Sequence, residues 1–249
     1  MIIENITADN PLIEKYKKLR KLNSNFLILE SEKVILYALK MGLVLEEILS
    51  YPDFFQSNKN IHSKRYYSID KKYLNEIIGY KSHSGVFATI LIPPEIETLS
   101  KRVIILDSLT SPENVGSICR SASAFGFKTV IYNSNGISPY LRRCIRVSTG
   151  HVLGLNIIKS NSLPLTIEKL KEDNFKIICA HNSINSNYLE NIKNDYEKLA
   201  IVIGSEGHGI TNEVIQISDL EIKISTHIDV DHLNASNAAS IMMHHFKSI

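Results

Sequence analysis

The segment DSLTSPENVGSICRSASAFGF, Asp107 to Phe127, sets one arginine on a helix otherwise made of small and apolar residues. Ser111 followed by Pro112 reads as a helix start: a capping hydroxyl, then the residue whose missing N–H costs nothing there. Val115, Ile118, Cys119 and Ala122 then make an apolar stripe directed at a sheet. Gly116 and Arg120 stand one turn apart on another face, so the glycine leaves space beside the guanidinium. An interior glycine costs a helix about 1 kcal/mol relative to alanine. Close approach of a ligand offsets that cost, and so does tight packing beneath a surface arginine.

Two further segments carry unusual residues. GSEGHGI, Gly204 to Ile210, holds three glycines in six residues, which permits positive φ and close backbone approach to a ligand. No Gly-Lys-Ser/Thr follows it, and the spacing is not that of a dinucleotide fingerprint. Glu206, set among these glycines, is placed to accept a hydrogen bond from a bound group, or stands solvated in a tight turn. THIDVDHLNASNAAS, Thr226 to Ser240, puts Asn234, Ser236 and Asn237 ahead of a small-residue helix suited to close packing. His227, Asp229 and Asp231 alternate in the same segment, with His232, His244 and His245 beyond. Their spacing matches no metal motif, and no metal site is expected.

The elements that must position these residues are legible as runs of Ile and Val. RVIILD, TVIYN, LNIIK, FKIICA, LAIVIG and LEIKIS are separated by helix-length segments. Continuous rather than alternating apolar strands predict a parallel sheet covered on both faces. In such α/β sheets ligands sit at the carboxyl ends of the strands. The three unusual segments follow RVIILD, LAIVI and LEIKI, so they predict one site. Residues 1–92 also alternate helices with short strands, including FLILE and the amphipathic SEKVILYALKMG, with Ser31 as its cap and Gly42 as its stop. PPEIETLSK is the predicted linker, which divides the chain into residues 1–95 and 96–249.

Bulk properties narrow the class. The 249 residues are 44% hydrophobic and 22% charged, ordinary for a globular protein with a real core. No run is long enough to span a membrane, and no secretory signal is expected. Cys119, Cys144 and Cys179 are scattered singly, which argues against a disulfide framework and favours the cytoplasm. The net charge is only +2, with 13 basic and 12 acidic side chains in residues 1–99 and 15 and 14 thereafter. Any nucleic-acid binding must therefore come from local patches, such as Lys15, Lys17, Lys18, Arg20 and Lys21.

Together the three segments resemble the SpoU (TrmH-like) family of RNA ribose 2′-O-methyltransferases. Asn114, Gly116 and Arg120 match its first motif, Asn-x-Gly-x-x-x-Arg. Gly204, Glu206, Gly207 and Gly209 match its second, Gly-x-Glu-Gly-x-Gly, and Leu233, Asn234 and Ser236 match its third. RVSTG, Arg146 to Gly150, is also similar to a family segment. The resemblance covers residues 101–249; residues 8–92 resemble, more weakly, the family's RNA-binding N-terminal domain. It implies an α/β fold whose C-terminal parallel sheet carries a trefoil knot, preceded by a small α/β domain similar to a ribosomal protein. It implies S-adenosylmethionine as cofactor, held near Gly204, Glu206, Gly207, Ile224, Leu233, Asn234 and Ser236, and a homodimer. It implies RNA as partner, with ribosomal favoured over transfer RNA. Asn114, Arg120, Glu206 and Asn234 would form the catalytic site. A guanidinium is effectively always protonated, so Arg120 suits phosphate binding and alkoxide stabilisation better than base catalysis.

The sequence departs from the family pattern at two places. The serine before Leu-Asn is His232 here, and the usual Pro-Met after the last strand is Ser225-Thr226. His232 would either serve as general base, with a reference pKa of about 6.5, or block the substrate. Two other classes follow: a catalytically silent RNA-binding relative, and a metal-dependent hydrolase built on the His/Asp cluster.

Overall fold

The computed structural model describes residues 2–18, 25–78, 85–227 and 232–247. The chain begins with β1 (Ile3–Asn5), α1 (Pro11–Lys18), β2 (Phe26–Glu30), α2 (Glu32–Lys40), β3 (Leu45–Ser50), α3 (Pro52–Ser57), β4 (Ser63–Ser68), α4 (Lys71–Ile78) and β5 (Val86–Leu91). These strands form a mixed sheet in the order β1-β4-β3-β5-β2. The β1–β4 and β4–β3 pairs are parallel, and β5 runs antiparallel to β3 and β2. Ile13 and Tyr16 of α1 and Leu74 of α4 pack on Ile28, Leu49 and Phe87 of this sheet. Ser31 is the N-cap of α2, accepting from the Val34 N–H, and Gly42 follows the helix with φ 77°. Arg20 and Lys21 of the basic cluster lie outside the described residues.

The chain continues through β6 (Arg102–Asp107), α5 (Pro112–Phe125), β7 (Thr129–Asn133), α6 (Arg142–Val147), β8 (Asn156–Ser160), α7 (Leu163–Glu172), β9 (Lys176–Ala180), β10 (Asn187–Tyr188), β11 (Leu199–Gly204), α8 (Asn212–Ile217), β12 (Leu220–Lys223) and α9 (Ala235–His245). The second sheet runs β10-β12-β9-β11-β6-β7-β8, and every pairing in it is parallel. This is the parallel α/β sheet that the apolar runs predict. Every residue of β6 is buried, as covering both faces of a parallel sheet requires. Val103, Ile105, Ile177, Ala200 and Val202 pack with Ile167 and Leu170 of α7 and Val214 of α8. The two-residue strand β10 has no counterpart in the sequence reading, because so short a pair leaves no apolar period.

The chain divides into two compact units, Met1–Pro94 with Tyr140–Leu153, and Glu95–Pro139 with Gly154–Ile249. The Arg146–Gly150 segment thus packs with the N-terminal elements. Ring and ion-pair contacts hold it there: Tyr37 and His151 pack with ring centroids 4.5 Å apart. Glu30 is 5% exposed at the end of β2, with Arg142 Nη2 at 3.2 Å and Arg146 Nη1 at 3.8 Å. Arg142 also stacks over the Phe87 ring, 5.4 Å from its centroid.

Candidate active site

β6 and β11 are neighbours, and Asp107 lies opposite Gly204 where both strands end. The loops that leave these two strands therefore start side by side. α5 begins as its sequence dictates, with Ser111 accepting the Asn114 N–H at 3.3 Å and Pro112 in the first turn. Val115, Ile118, Cys119 and Ala122 are buried as expected, and Gly116 and Asn114 are buried with them. α5 packs along α9, and the Ser121 and Ser240 hydroxyls meet at 2.8 Å. Small residues on both helices permit that approach.

The glycine loop closes on itself. Ser205 and Gly209 exchange both backbone hydrogen bonds, at 3.0 and 2.9 Å. A Cβ on Gly204 would fall 2.2 Å from Gly209 C and 2.3 Å from Ile210 N, so only glycine fits there. Glu206 is presented at the tip.

Glu206 joins the three segments. Asn114 Nδ2 donates a hydrogen bond to Glu206 Oε1. Asn234 Nδ2 donates to Asn114 Oδ1 at 3.0 Å and to Glu206 Oε1 at 3.2 Å. The amide orientation of Asn234 follows from its second task. Its Oδ1 caps α9 by accepting Ser236 N–H at 2.9 Å and Asn237 N–H at 3.4 Å, which leaves Nδ2 for the other partners. The Ser236 hydroxyl also donates to Asn234 Oδ1, at 2.7 Å.

Two cavities meet at this point. The first, of about 580 Å³, is lined by Gly204, Glu206, Gly207, Ile224, Leu233 and Asn234, all expected as cofactor contacts. His232 lines it too, whereas Ser236 does not and instead holds Asn234. The second, of about 640 Å³, is lined by Ser108, Thr110, Ser111, Asn114, Asn135 and Thr211 among others. Ser205 to Gly209 line both. Arg120 is exposed on α5 and lines neither cavity.

His181 and Lys223, at the ends of β9 and β12, also line the first cavity. His181 Nδ1 meets Glu221 Oε2 at 2.9 Å, and Ser183 Oγ donates to the same oxygen at 2.9 Å. The hydrogen bond to His181 and then that from Ser183 hold the Glu221 carboxyl below its usual range. The sequence reading missed this pair; its signal was a histidine directly after the apolar run FKIICA.

Asp229 and Asp231 lie outside the described residues. Among the described residues no three His, Cys, Asp or Glu side chains gather as a metal site. His245 Nε2 bonds the Ile192 carbonyl at 2.7 Å, and His244 packs edge-on to Phe125. No described helix is long and apolar enough to cross a membrane.

Residues 101–244 match the SpoU rRNA Methylase family, and the chain belongs to that family. It is 28% identical over 183 residues to an uncharacterized tRNA/rRNA methyltransferase of Mycobacterium bovis, covering 71% of this chain and 64% of that protein. The chain thus spans just under two thirds of that relative's length. It is 21% identical to the 23S rRNA (guanosine(2553)-2′-O)-methyltransferase of Bacillus subtilis, over 97% of this chain and 98% of that one. A crystal structure of an AdoMet-bound rRNA methyltransferase from Sinorhizobium meliloti superposes with a TM-score of 0.83 at 18% identity, covering 97% and 96% of the two chains. The fold is therefore that of SpoU methyltransferases.

Proposed function

We propose that the chain methylates a ribose 2′-hydroxyl of RNA, using S-adenosylmethionine, with ribosomal RNA favoured over transfer RNA. The observation that carries this reading is Glu206: it lines both cavities and hydrogen-bonds an asparagine from each of the other two motifs. A group-transfer site needs two adjoining binding spaces and a fixed set of polar atoms at their junction.

The first cavity suits the cofactor. Ile203, Ile222, Ala235, Ala238 and Met242 give it apolar walls, and strand ends and the glycine loop offer backbone groups. Gly204, Glu206, Gly207, Ile224, Leu233 and Asn234 would hold it, with Ser236 fixing Asn234. When bound, S-adenosylmethionine supplies an activated methyl group on a sulfonium. The chain's own task is then to orient the 2′-hydroxyl and to receive its proton. Asn114, Glu206 and Asn234 orient the acceptor at the junction, and Glu206 is the carboxylate within reach of both spaces. Arg120, outside the cavities, would bind an RNA phosphate. His232 belongs to the cofactor wall, which supports a role in seating the cofactor more than one as base. The same reading includes a homodimer, the C-terminal trefoil knot, RNA binding by the N-terminal unit, and a cytoplasmic site of action.

The test is methyl transfer from labelled S-adenosylmethionine to unmodified ribosomal RNA and, separately, to transfer RNA. Labelled ribose in the ribosomal pool, lost with Arg120→Ala and Glu206→Gln, is the expected result. Cofactor binding without labelling of either pool would leave a silent RNA-binding relative, with His232 in place of the family serine as the first cause to examine.

A further inference from the structure

We infer that Asp107 is a positioning residue for the proposed transfer: one buried carboxylate that holds the glycine loop, and through it Glu206, at the junction of the two cavities. Asp107 is 1% exposed, and its described partners are four neutral donors from three segments. Oδ2 accepts the Thr211 N–H at 2.8 Å and the Thr211 hydroxyl at 2.9 Å. Oδ1 accepts the Ser108 hydroxyl and Asn133 Nδ2, both at 3.0 Å. A carboxylate is the side chain with acceptor sites for four donors and no N–H of its own.

The bonds to Thr211 are informative. Thr211 is the N-cap of α8, yet its hydroxyl makes no capping hydrogen bond. That donor is committed to Asp107 instead, 104 positions earlier in the chain. The glycine loop is thereby fixed at both ends. Gly204 pairs across the sheet with Asp107, and Thr211 hangs on its carboxylate. Glu206 lies between these anchors, so its contacts with Asn114 and Asn234 depend on them.

The other oxygen sets the opposite wall. Ser108 adopts φ 59°, a conformation that side chains adopt rarely. It is held there by its hydroxyl on Asp107 and by its N–H on Asn133 Oδ1 at 3.0 Å. Asn133 Oδ1 also accepts the Gly136 N–H at 3.1 Å, which ties the loop after β7 to the same point. Ser108, Asn135 and Thr211 all line the second cavity. Asp107 itself lines neither, so it acts only through the loops it joins.

The inference rests on the proposed methyl transfer for its kinetic arm and on hydrogen exchange for its structural arm. Asp107→Asn keeps the volume but turns an N–H₂ toward donors. It is expected to lower kcat about 100-fold, the scale of a misplaced reacting group, and to weaken S-adenosylmethionine binding by a smaller factor, because the same loop also lines the first cavity. Thr211→Val, at an exposed residue, is expected to lower kcat about tenfold, with Thr211→Ser near wild type. In a Glu206→Gln background Asp107→Asn should cost little more, because both act at one point. Additive losses, or a Thr211→Val variant as active as wild type, would overturn the assignment. Amide exchange of Ser205 to Ile210 should quicken in both Asp107→Asn and Thr211→Val. Unchanged exchange would overturn the assignment even in a chain that transfers no methyl group. A wild-type chain that transfers none would overturn only the proposed reaction.

Discussion

Arg102 offers the sharpest test of how the C-terminal helix is held against the sheet. It opens β6 and is 7% exposed. Its Nε donates to the Phe246 carbonyl at 2.9 Å, directly after α9. Its Nη1 donates to the Glu197 carbonyl at 2.9 Å, and Nη2 to the Tyr196 carbonyl at 2.9 Å. A cation at a helix C-terminus also opposes the negative end of the helix dipole. Arg102→Met keeps the aliphatic stem and removes every donor. The bond to Phe246 is buried, and a buried charged hydrogen bond contributes about 1.5–3 kcal/mol. The other two carbonyls are partly exposed, so water recovers part of their loss, and the summed cost is about 3–5 kcal/mol. For a unit of this size each kcal/mol lowers Tm by about 3 °C, so the expected drop is about 9–15 °C. Arg102→Lys retains the charge without the fork and should lose roughly half as much. The assay is differential scanning calorimetry of the three proteins. An Arg102→Met variant melting within about 2 °C of wild type would refute the reasoning. Equal losses in the Lys and Met variants would show that the forked geometry carries the effect and not the charge.

Three further outcomes follow from the site. Glu206→Gln keeps one acceptor oxygen for Asn114 and Asn234 but removes the negative charge and replaces the other oxygen with a donor, at an exposed position; methyl transfer should fall about 100-fold while Tm stays near wild type, and parallel calorimetry and labelling would check both. Gly204→Ala should be poorly folded or lose cofactor binding in titration calorimetry, because its Cβ meets backbone at 2.2 Å, whereas Gly207→Ala, with nothing within 4 Å, should melt like wild type. Cys179, whose thiol burial pushes up to about 11, has roughly one molecule in a thousand as thiolate at pH 8. Iodoacetamide at that pH should leave Cys179 unmodified in the native protein and label it in urea; native labelling would contradict its burial.

Local features were legible in the sequence. α5 starts at Ser111-Pro112, and α2 is capped by Ser31 and followed by Gly42 with φ 77°, because capping and left-handed turns depend on residues a few positions apart. The strands of the parallel sheet were legible because burial on both faces demands unbroken Ile and Val. Glu206, Asn114 and Asn234 were legible as types set at strand ends, and Glu206 as an acceptor of hydrogen bonds. What they do to one another was not: the Asn114–Glu206 bond joins residues 92 positions apart, and Asn114 and Asn234 are 120 apart. The role of Asp107 was equally hidden, since an aspartate ending a strand looks like any solvated turn until Thr211 is folded onto it. The placement of Tyr140–Leu153 with the N-terminal elements, through contacts such as those of Glu30 with two arginines and of Arg142 with Phe87, was not legible either, because its partners lie more than 50 positions away in sequence. Periodicity and caps are written in neighbouring residues, so the sequence alone determined the helices, the strands and the residue types at their ends. Hydrogen-bond partners, cavity walls and the path of the chain between units depend on which strands lie side by side, and only the tertiary structure decided those.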